Sequence, residues 1–197
     1  MTAGDLVVPG EVELLERALA WTCGQLARVR PEQLGAPTPC AGWDLAALLA
    51  HMEDALDAFA EAAAGFVVPV PDPRLEAHPV PRVPLLQAKA SALLGAWARP
   101  TPRAVRTGSV ALPTAVLVAA AALEVAVHGW DVAVALDPAP ARRPALPAPL
   151  ARDLLGVAGA TVVAQDRPAR FAPPVPPPFA ASHGERLLCF LGRDPRR

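Results

Sequence analysis

The chain of 197 residues has no isoleucine, asparagine or tyrosine, and its single lysine, Lys89, stands against 17 arginines. The depleted types are those with AT-rich codons, so the bias points to a GC-rich genome and not to a structural demand. Basic runs are lacking too, with never more than two basic residues in a row. Together with a net charge of −1 and a pI near 6.4, this excludes a phosphate-neutralising stripe, and no nucleic-acid partner is expected. Cysteine is scarce: Cys23, Cys40 and Cys189 are odd in number, widely spaced and form no CxxC. That argues against a disulfide framework and fits reduced thiols in a cytoplasm, serving as small core residues. The opening MTAGDLVVPGEVELLE has neither a basic n-region nor a long apolar h-region, so no secretory signal is expected. GxGxxG, GxxxxGK[ST] and HExxH are missing, and Ser91, Ser109 and Ser182 stand in no nucleophile-elbow context. Dinucleotide binding, P-loop chemistry and zincin proteolysis thereby lose their usual markers.

What the chain does have is 43 alanines, 25 prolines and a 53% apolar share against 19% charged. Such a composition excludes intrinsic disorder. A chain of this size buries roughly 70% of its unfolded surface without disulfide staples. Helical periodicity dominates and proline punctuates it. Glu11 to Val29 carries an amphipathic stripe through Val12, Leu15, Leu19, Thr22, Cys23 and Leu26. After a polar turn, Asp44 can cap a helix to about Ala64, with Leu45, Leu48, Leu49, Met52, Leu56 and Phe59 facing inward. Residues Gly65 to Pro84 hold six prolines and no helical pattern, a long crossover. A third helix follows over Leu85–Ala98, then an extended piece at Ala104–Leu112 leading to Pro113 at a first helical position.

The fourth helix, to about Leu136, is apolar on nearly every side. The run Ala111–Ala135 is the one stretch worth testing as a membrane span, but it contains Pro113, Glu124, His128 and Asp131. It reads as the most buried helix of a soluble protein. Beyond Asp137 a proline-rich linker leads to a fifth helix over Pro149–Ala164. The stretch FAPPVPPPF reads as a polyproline-like strap, Glu185–Leu191 as a short closing helix, and GRDPRR as a frayed end. The expected fold is all-α: a four-helix bundle over residues 1–137 with a long crossover loop, and a Pro-rich C-terminal appendage with extra helices over 138–197, packed on the bundle as one domain overall.

Chemistry concentrates in the fourth helix. Glu124 and His128 are four residues apart and present an oxygen and an imidazole nitrogen to a single point, with Asp131 on nearly the same face. A carboxylate in so buried a helix is costly unless paired or bound to a metal. His51, the histidine inside another helix, is the candidate third ligand. Two histidines and a carboxylate suit Zn²⁺ with an open position, and Fe²⁺ or Ni²⁺ accept the same set. For His51 alone a hydrogen-bonded core histidine is the plainer account. A hydrogen-bonded pair explains Glu124 and His128 as well as a metal does. The three together favour a metal, because no other role brings them to one point. Asp131 reads as a ligand-orienting partner, a catalytic base or an ion-pair member. His78 and His183 read as solvated, and Trp21, Trp43, Trp97 and Trp130 as core and staple residues.

These residues carry a resemblance. PTPCAGWDLAALLAHM looks like the second-helix entry of the DinB-like superfamily, in the branch that contains the mycothiol-dependent maleylpyruvate isomerase N-terminal domain. EVAVHGWDVAVAL looks like the ligand helix of that branch, and FAPPVPPPFAASHGERLLCFLGRDP resembles the tail of an actinobacterial subfamily of small metal-binding proteins. The resemblance implies a four-helix bundle with a divalent metal on His51, Glu124 and His128. It also implies isomerisation or S-transfer with a low-molecular-weight thiol such as mycothiol, and leaves room for recruitment to secondary metabolism. The maleylpyruvate isomerase has a larger C-terminal domain that supplies a catalytic arginine, and the residues after Asp137 are too few to form it. Arg142, Arg143, Arg167 and Arg170 are the candidates to replace that arginine. The expectation is thus a metal-dependent enzyme with a small-molecule substrate, with Asp131 orienting a ligand or acting as base. The alternative is a non-enzymatic metal- or ligand-binding bundle, and a homodimer through exposed helix faces is compatible with both.

Overall fold

The computed structural model describes residues 9–67, 82–99, 101–167 and 170–196. Its helices are α1 (Pro9–Leu26), α2 (Leu45–Ala62), α3 (Arg82–Trp97), α4 (Thr114–Leu136), α5 (Ala148–Thr161) and α6 (His183–Phe190). The first four close a ring: α1 lies against α4 and α3, and α2 lies against α3 and α4. The apolar stripes meet inside it. Leu15, Ala18, Leu45, Leu48, Leu49, Leu86, Leu93, Val118 and Ala126 are completely buried. Asp44 starts α2 as expected, its Oδ1 accepting a hydrogen bond from the Ala47 amide at 2.8 Å.

The α1–α4 pair is the most extensive in the bundle, and α4 is rich in alanine on the faces that meet its neighbours. Small side chains let the two backbones approach closely. Thr22 Oγ1 donates across the pair to the Val125 carbonyl at 2.9 Å. α4 is the one described helix long and apolar enough to cross a membrane, yet 61% of that apolar window is buried inside the protein, as in a core helix.

Several boundaries differ from the sequence expectation, among them the ends of α1, α5 and α6 by one to three residues. α3 begins at Arg82, three residues early, because Pro84 sits in its first turn, where the missing amide costs nothing. The extended piece is a hairpin of β2 (Ala104–Thr107) and β3 (Val110–Pro113), and β1 (Phe66–Val67) pairs parallel to β2 on its other edge. Gly108, at φ +57°, opens the two-residue turn at the position that favours glycine. Pro113 therefore closes a strand and caps α4 instead of entering it, and helical hydrogen bonding starts at Thr114. Most of the expected crossover, including His78, lies outside the described residues.

The C-terminal part leans on the bundle. α5 packs on α4 and α1, α6 packs on α5, and Arg17 of α1 meets Asp153 of α5 at 2.9 Å. The proline-rich strap is held at its first end, where Phe171 packs on the core, and in its middle, where the Val175 amide donates to the Cys189 carbonyl at 2.9 Å. Its second apolar end is not a contact, for Phe179 is fully exposed. Nor does the chain fray at Gly192 and Arg193, the start of the expected loose end. α6 finishes in a Schellman motif, with the Gly192 amide donating to Cys189 O at 3.1 Å and the Arg193 amide to Leu188 O at 2.9 Å. Gly192, at φ +79°, supplies the left-handed residue this turn requires, and a Cβ there would lie 2.7 Å from the Ala172 carbonyl oxygen. The chain is thereby turned back towards the bundle.

Candidate metal centre

α4 carries Glu124 and His128 one turn apart, and α2 carries His51 towards them from across the bundle. Glu124 Oε1 lies 2.9 Å from His51 Nε2 and 3.0 Å from His128 Nε2. The imidazoles stand edge to face with centroids 5.0 Å apart. One ligand atom from each residue falls within 4.8 Å of the others. The donor set is two imidazole nitrogens and a carboxylate oxygen, converging from two rigid helices, and it fits a divalent transition metal with a position left open. Trp43, just before α2, lies against the His51 ring at 4.8 Å between centroids and fixes it from outside.

Asp131 is turned to the other side of His128. It has no exposed surface, and its Oδ2 lies 2.9 Å from His128 Nδ1. Arg193 grips the same carboxylate as a fork, Nε to Oδ1 at 2.8 Å and Nη2 to Oδ2 at 2.6 Å. The Cys40 thiol joins them, 3.3 Å from Asp131 Oδ2 and 3.8 Å from His128 Nδ1. Two layers result: His51, Glu124 and His128 form the convergent point, while Asp131, Arg193 and Cys40 form a polar backing behind His128.

The electrostatics follow from that layering. Burial by itself would raise the Glu124 carboxyl, but the charge on His128 and hydrogen bonds from His128 and His51 hold it well below the usual carboxylate range. Burial would likewise depress His128. The Glu124 charge and its bonds to Asp131, Cys40 and Glu124 instead push it well above an ordinary imidazole. For Asp131 the Arg193 charge outweighs desolvation and lowers the carboxyl, and Asp131 in turn raises Arg193 despite burial.

A cleft of about 670 Å³ lies beside the cluster, walled by Gly35, Cys40, Trp43, Ala47, Ala50 and Arg82. It shares Cys40 and Trp43 with the surroundings of His128 and His51, while His51, Glu124 and His128 themselves do not line it. On the bundle side a small apolar cavity lined by Leu19, Leu26, Met52 and Leu56 reaches Glu124 and His128.

The motif before and in α2 and the first ten residues of the motif in α4 fall inside one family match. Residues 15–133 match the mycothiol maleylpyruvate isomerase N-terminal domain. The chain belongs to that family. Its fold is all-α and DinB-like, and residues 15–133 of this N-terminal-domain family member include His51, Glu124, His128 and Asp131. Two uncharacterised proteins of Mycobacterium tuberculosis, from strains CDC 1551 and H37Rv, are each 31% identical to the chain over 179 residues, covering 87% of it and 91% of their own length. That likeness extends past residue 133 and into the C-terminal part. No solved structure matches the chain.

The sequence expectation placed an arginine among Arg142, Arg143, Arg167 and Arg170, and none of these reaches the cluster. Arg143 Nε donates to Asp137 O at 2.9 Å, and Arg167 Nη2 to Phe190 O at 2.7 Å with its guanidinium over the Phe190 ring. Arg170 pairs with Asp166, and Arg142 is exposed in the turn after α4. The arginine at the site is Arg193, from the segment expected to be loose. The cysteines are core residues as expected, Cys189 buried and Cys23 and Cys40 half-buried against the core, and the Cys40 thiol in addition reaches the polar layer at Asp131. One signal pointed to Arg193. A carboxylate as buried as Asp131 calls for a cation, and a glycine directly after a short apolar helix marks a chain reversal that can supply one.

Proposed function

We propose that this protein is a divalent-metal-dependent enzyme acting on a small organic substrate, with a low-molecular-weight thiol such as mycothiol as reactant, in isomerisation or S-transfer. The observation that carries this reading is the convergence of His51 Nε2 and His128 Nε2 on Glu124 Oε1 at 2.9 and 3.0 Å, and a cleft of about 670 Å³ reaches their neighbours Cys40 and Trp43. Such a volume lies within the range of small-molecule sites. His51, Glu124 and His128 hold the ion. Zn²⁺ suits the set best, with Fe²⁺ and Ni²⁺ as the other candidates. A divalent ion held by these residues would supply the positive charge that lowers a thiol's pKa and makes thiolate available at neutral pH.

The thiolate adds to an activated double bond of the substrate. In isomerisation the resulting single bond turns and the thiolate is expelled, with no net change of atoms. In S-transfer the carbon–sulfur bond is kept and the adjacent carbanion takes a proton. Of the roles open to Asp131, orienting His128 suits a carboxylate whose two oxygens already accept from Arg193, with His128 and Cys40 sharing one of them. The reading places the protein in the cytoplasm, where Cys23, Cys40 and Cys189 stay as thiols, with a small molecule and not a membrane or nucleic acid as partner.

Metal analysis of protein purified under metal-replete conditions tests the first half. One equivalent of divalent metal is expected in the wild type and far less in His128→Ala; a wild type without metal overturns the reading. A panel of electrophiles assayed with mycothiol tests the second half. Metal-dependent thiol consumption or double-bond isomerisation is expected, and metal binding without turnover of any member makes the protein a metal-binding module instead.

A further inference from the structure

The fork from Arg193 to Asp131 joins the last turn of the chain to the helix that carries two of the three ligand residues. Asp131 accepts from both arms of the guanidinium, at 2.8 and 2.6 Å, and the same carboxylate meets His128 Nδ1 at 2.9 Å. Only 12% of the Arg193 side chain and none of the Asp131 side chain is exposed, so water cannot replace either partner. A bidentate fork fixes the plane of a carboxylate as well as its charge. With that plane fixed, Oδ2 faces Nδ1, the Nδ1 proton points at Asp131, and Nε2 is aimed at the point shared with Glu124 and His51. Arg193 is itself held. Its amide closes the Schellman turn on Leu188, its Nη1 donates to Leu191 O at 3.3 Å, and Gly192 has no room for a side chain against Ala172.

We propose that Arg193 is a positioning residue of the metal centre: acting through Asp131, it orients His128 as a ligand, so that the C-terminal turn after α6 completes a site otherwise built by α2 and α4. The inference rests on the metal-binding reading of His51, Glu124 and His128. It assigns to the tail arginine a role different from contact with substrate, since its guanidinium is occupied by a buried carboxylate and does not face the convergent point. Groups that hold a ligating histidine through its second nitrogen commonly affect metal affinity by about 10–100-fold.

The test is a cycle of Arg193→Met, Asp131→Asn and the double variant. Metal affinity is measured by competition of Zn²⁺ against a chromophoric chelator, and folding by far-ultraviolet circular dichroism. Expected are a loss of affinity of about 10–100-fold in Arg193→Met, with partial recovery in Arg193→Lys. In the double variant no loss is expected beyond that of Asp131→Asn, because Arg193 acts only through Asp131. Should Arg193→Met fail to fold, with Asp131 left buried and unpaired, the double variant carries no unpaired charge and its comparison with Asp131→Asn decides. Wild-type affinity in Arg193→Met, or losses that multiply in the double variant, overturn the inference while the metal site stands. A wild type that binds no Zn²⁺ overturns the metal reading and this inference with it.

Discussion

Gly129 follows the ligand His128 on α4 and faces α1 where no side chain fits. A Cβ there would lie 2.4 Å from Thr22 Oγ1 and 2.8 Å from a ring carbon of Trp21. Thr22 cannot give way cheaply, because it is buried, β-branched and bonded to the Val125 carbonyl. Gly129→Ala is therefore expected to destabilise the fold by about 1–3 kcal/mol, despite the better helix propensity of alanine. A fall in the urea midpoint at constant slope is the signature; an unchanged or higher midpoint contradicts the packing argument. At this same scale the convergence of Glu124 and His128 was legible, because i and i+4 on a helix fix a direction that sequence displays, whereas His51 was a candidate as the histidine inside another helix. Arg193 was not legible in that way. Its partner is 62 residues distant, and only the tertiary path of α5, the strap and α6 brings them together.

Elements were easier to read than contacts between them. The apolar periods of α1, α2 and α4 are long enough to outvote local ambiguity, and Asp44 marks the start of α2 by a side chain suited to cap it. Asp44→Ala removes the acceptor for the Ala47 amide, and a loss of about 1 kcal/mol is expected in chemical denaturation. An Asp44→Ser control should keep most of that stability, because serine caps nearly as well; equal losses in both would assign the effect to something other than the cap. The misread elements share a cause. Pro84 and Pro113 both sit at helix beginnings, where proline is compatible with the first turn, the cap or a strand end, and only the neighbouring hydrogen bonds decide. The final six residues looked loose because their composition is polar, but a glycine in a Schellman turn converts that composition into a directed chain reversal.

At the scale of the whole molecule the centre joins helices that otherwise share little. α2 makes a far smaller contact with α4 than α1 does, and the ligand set draws one residue from α2 and two from α4. A bound ion is thus a cross-link at one of the weaker seams of the ring, and it binds only when that seam is closed. Ligand linkage then dictates the effect: at a free metal concentration one hundred times the dissociation constant, the native state gains about 2.7 kcal/mol. For a domain of this size that is a rise of roughly 5–10 °C in melting temperature. Stripping the metal with a chelator should reverse the rise in the wild type and have no effect on His128→Ala, whose melting temperature is already that of the metal-free state apart from the local cost of the substitution. The same comparison by hydrogen exchange should localise the change, with metal slowing exchange in the amides of α2 around His51 more than in α1, whose contact with α4 needs no ion. Equal protection of α1 and α2 would mean that the ion stabilises the bundle without bridging that seam.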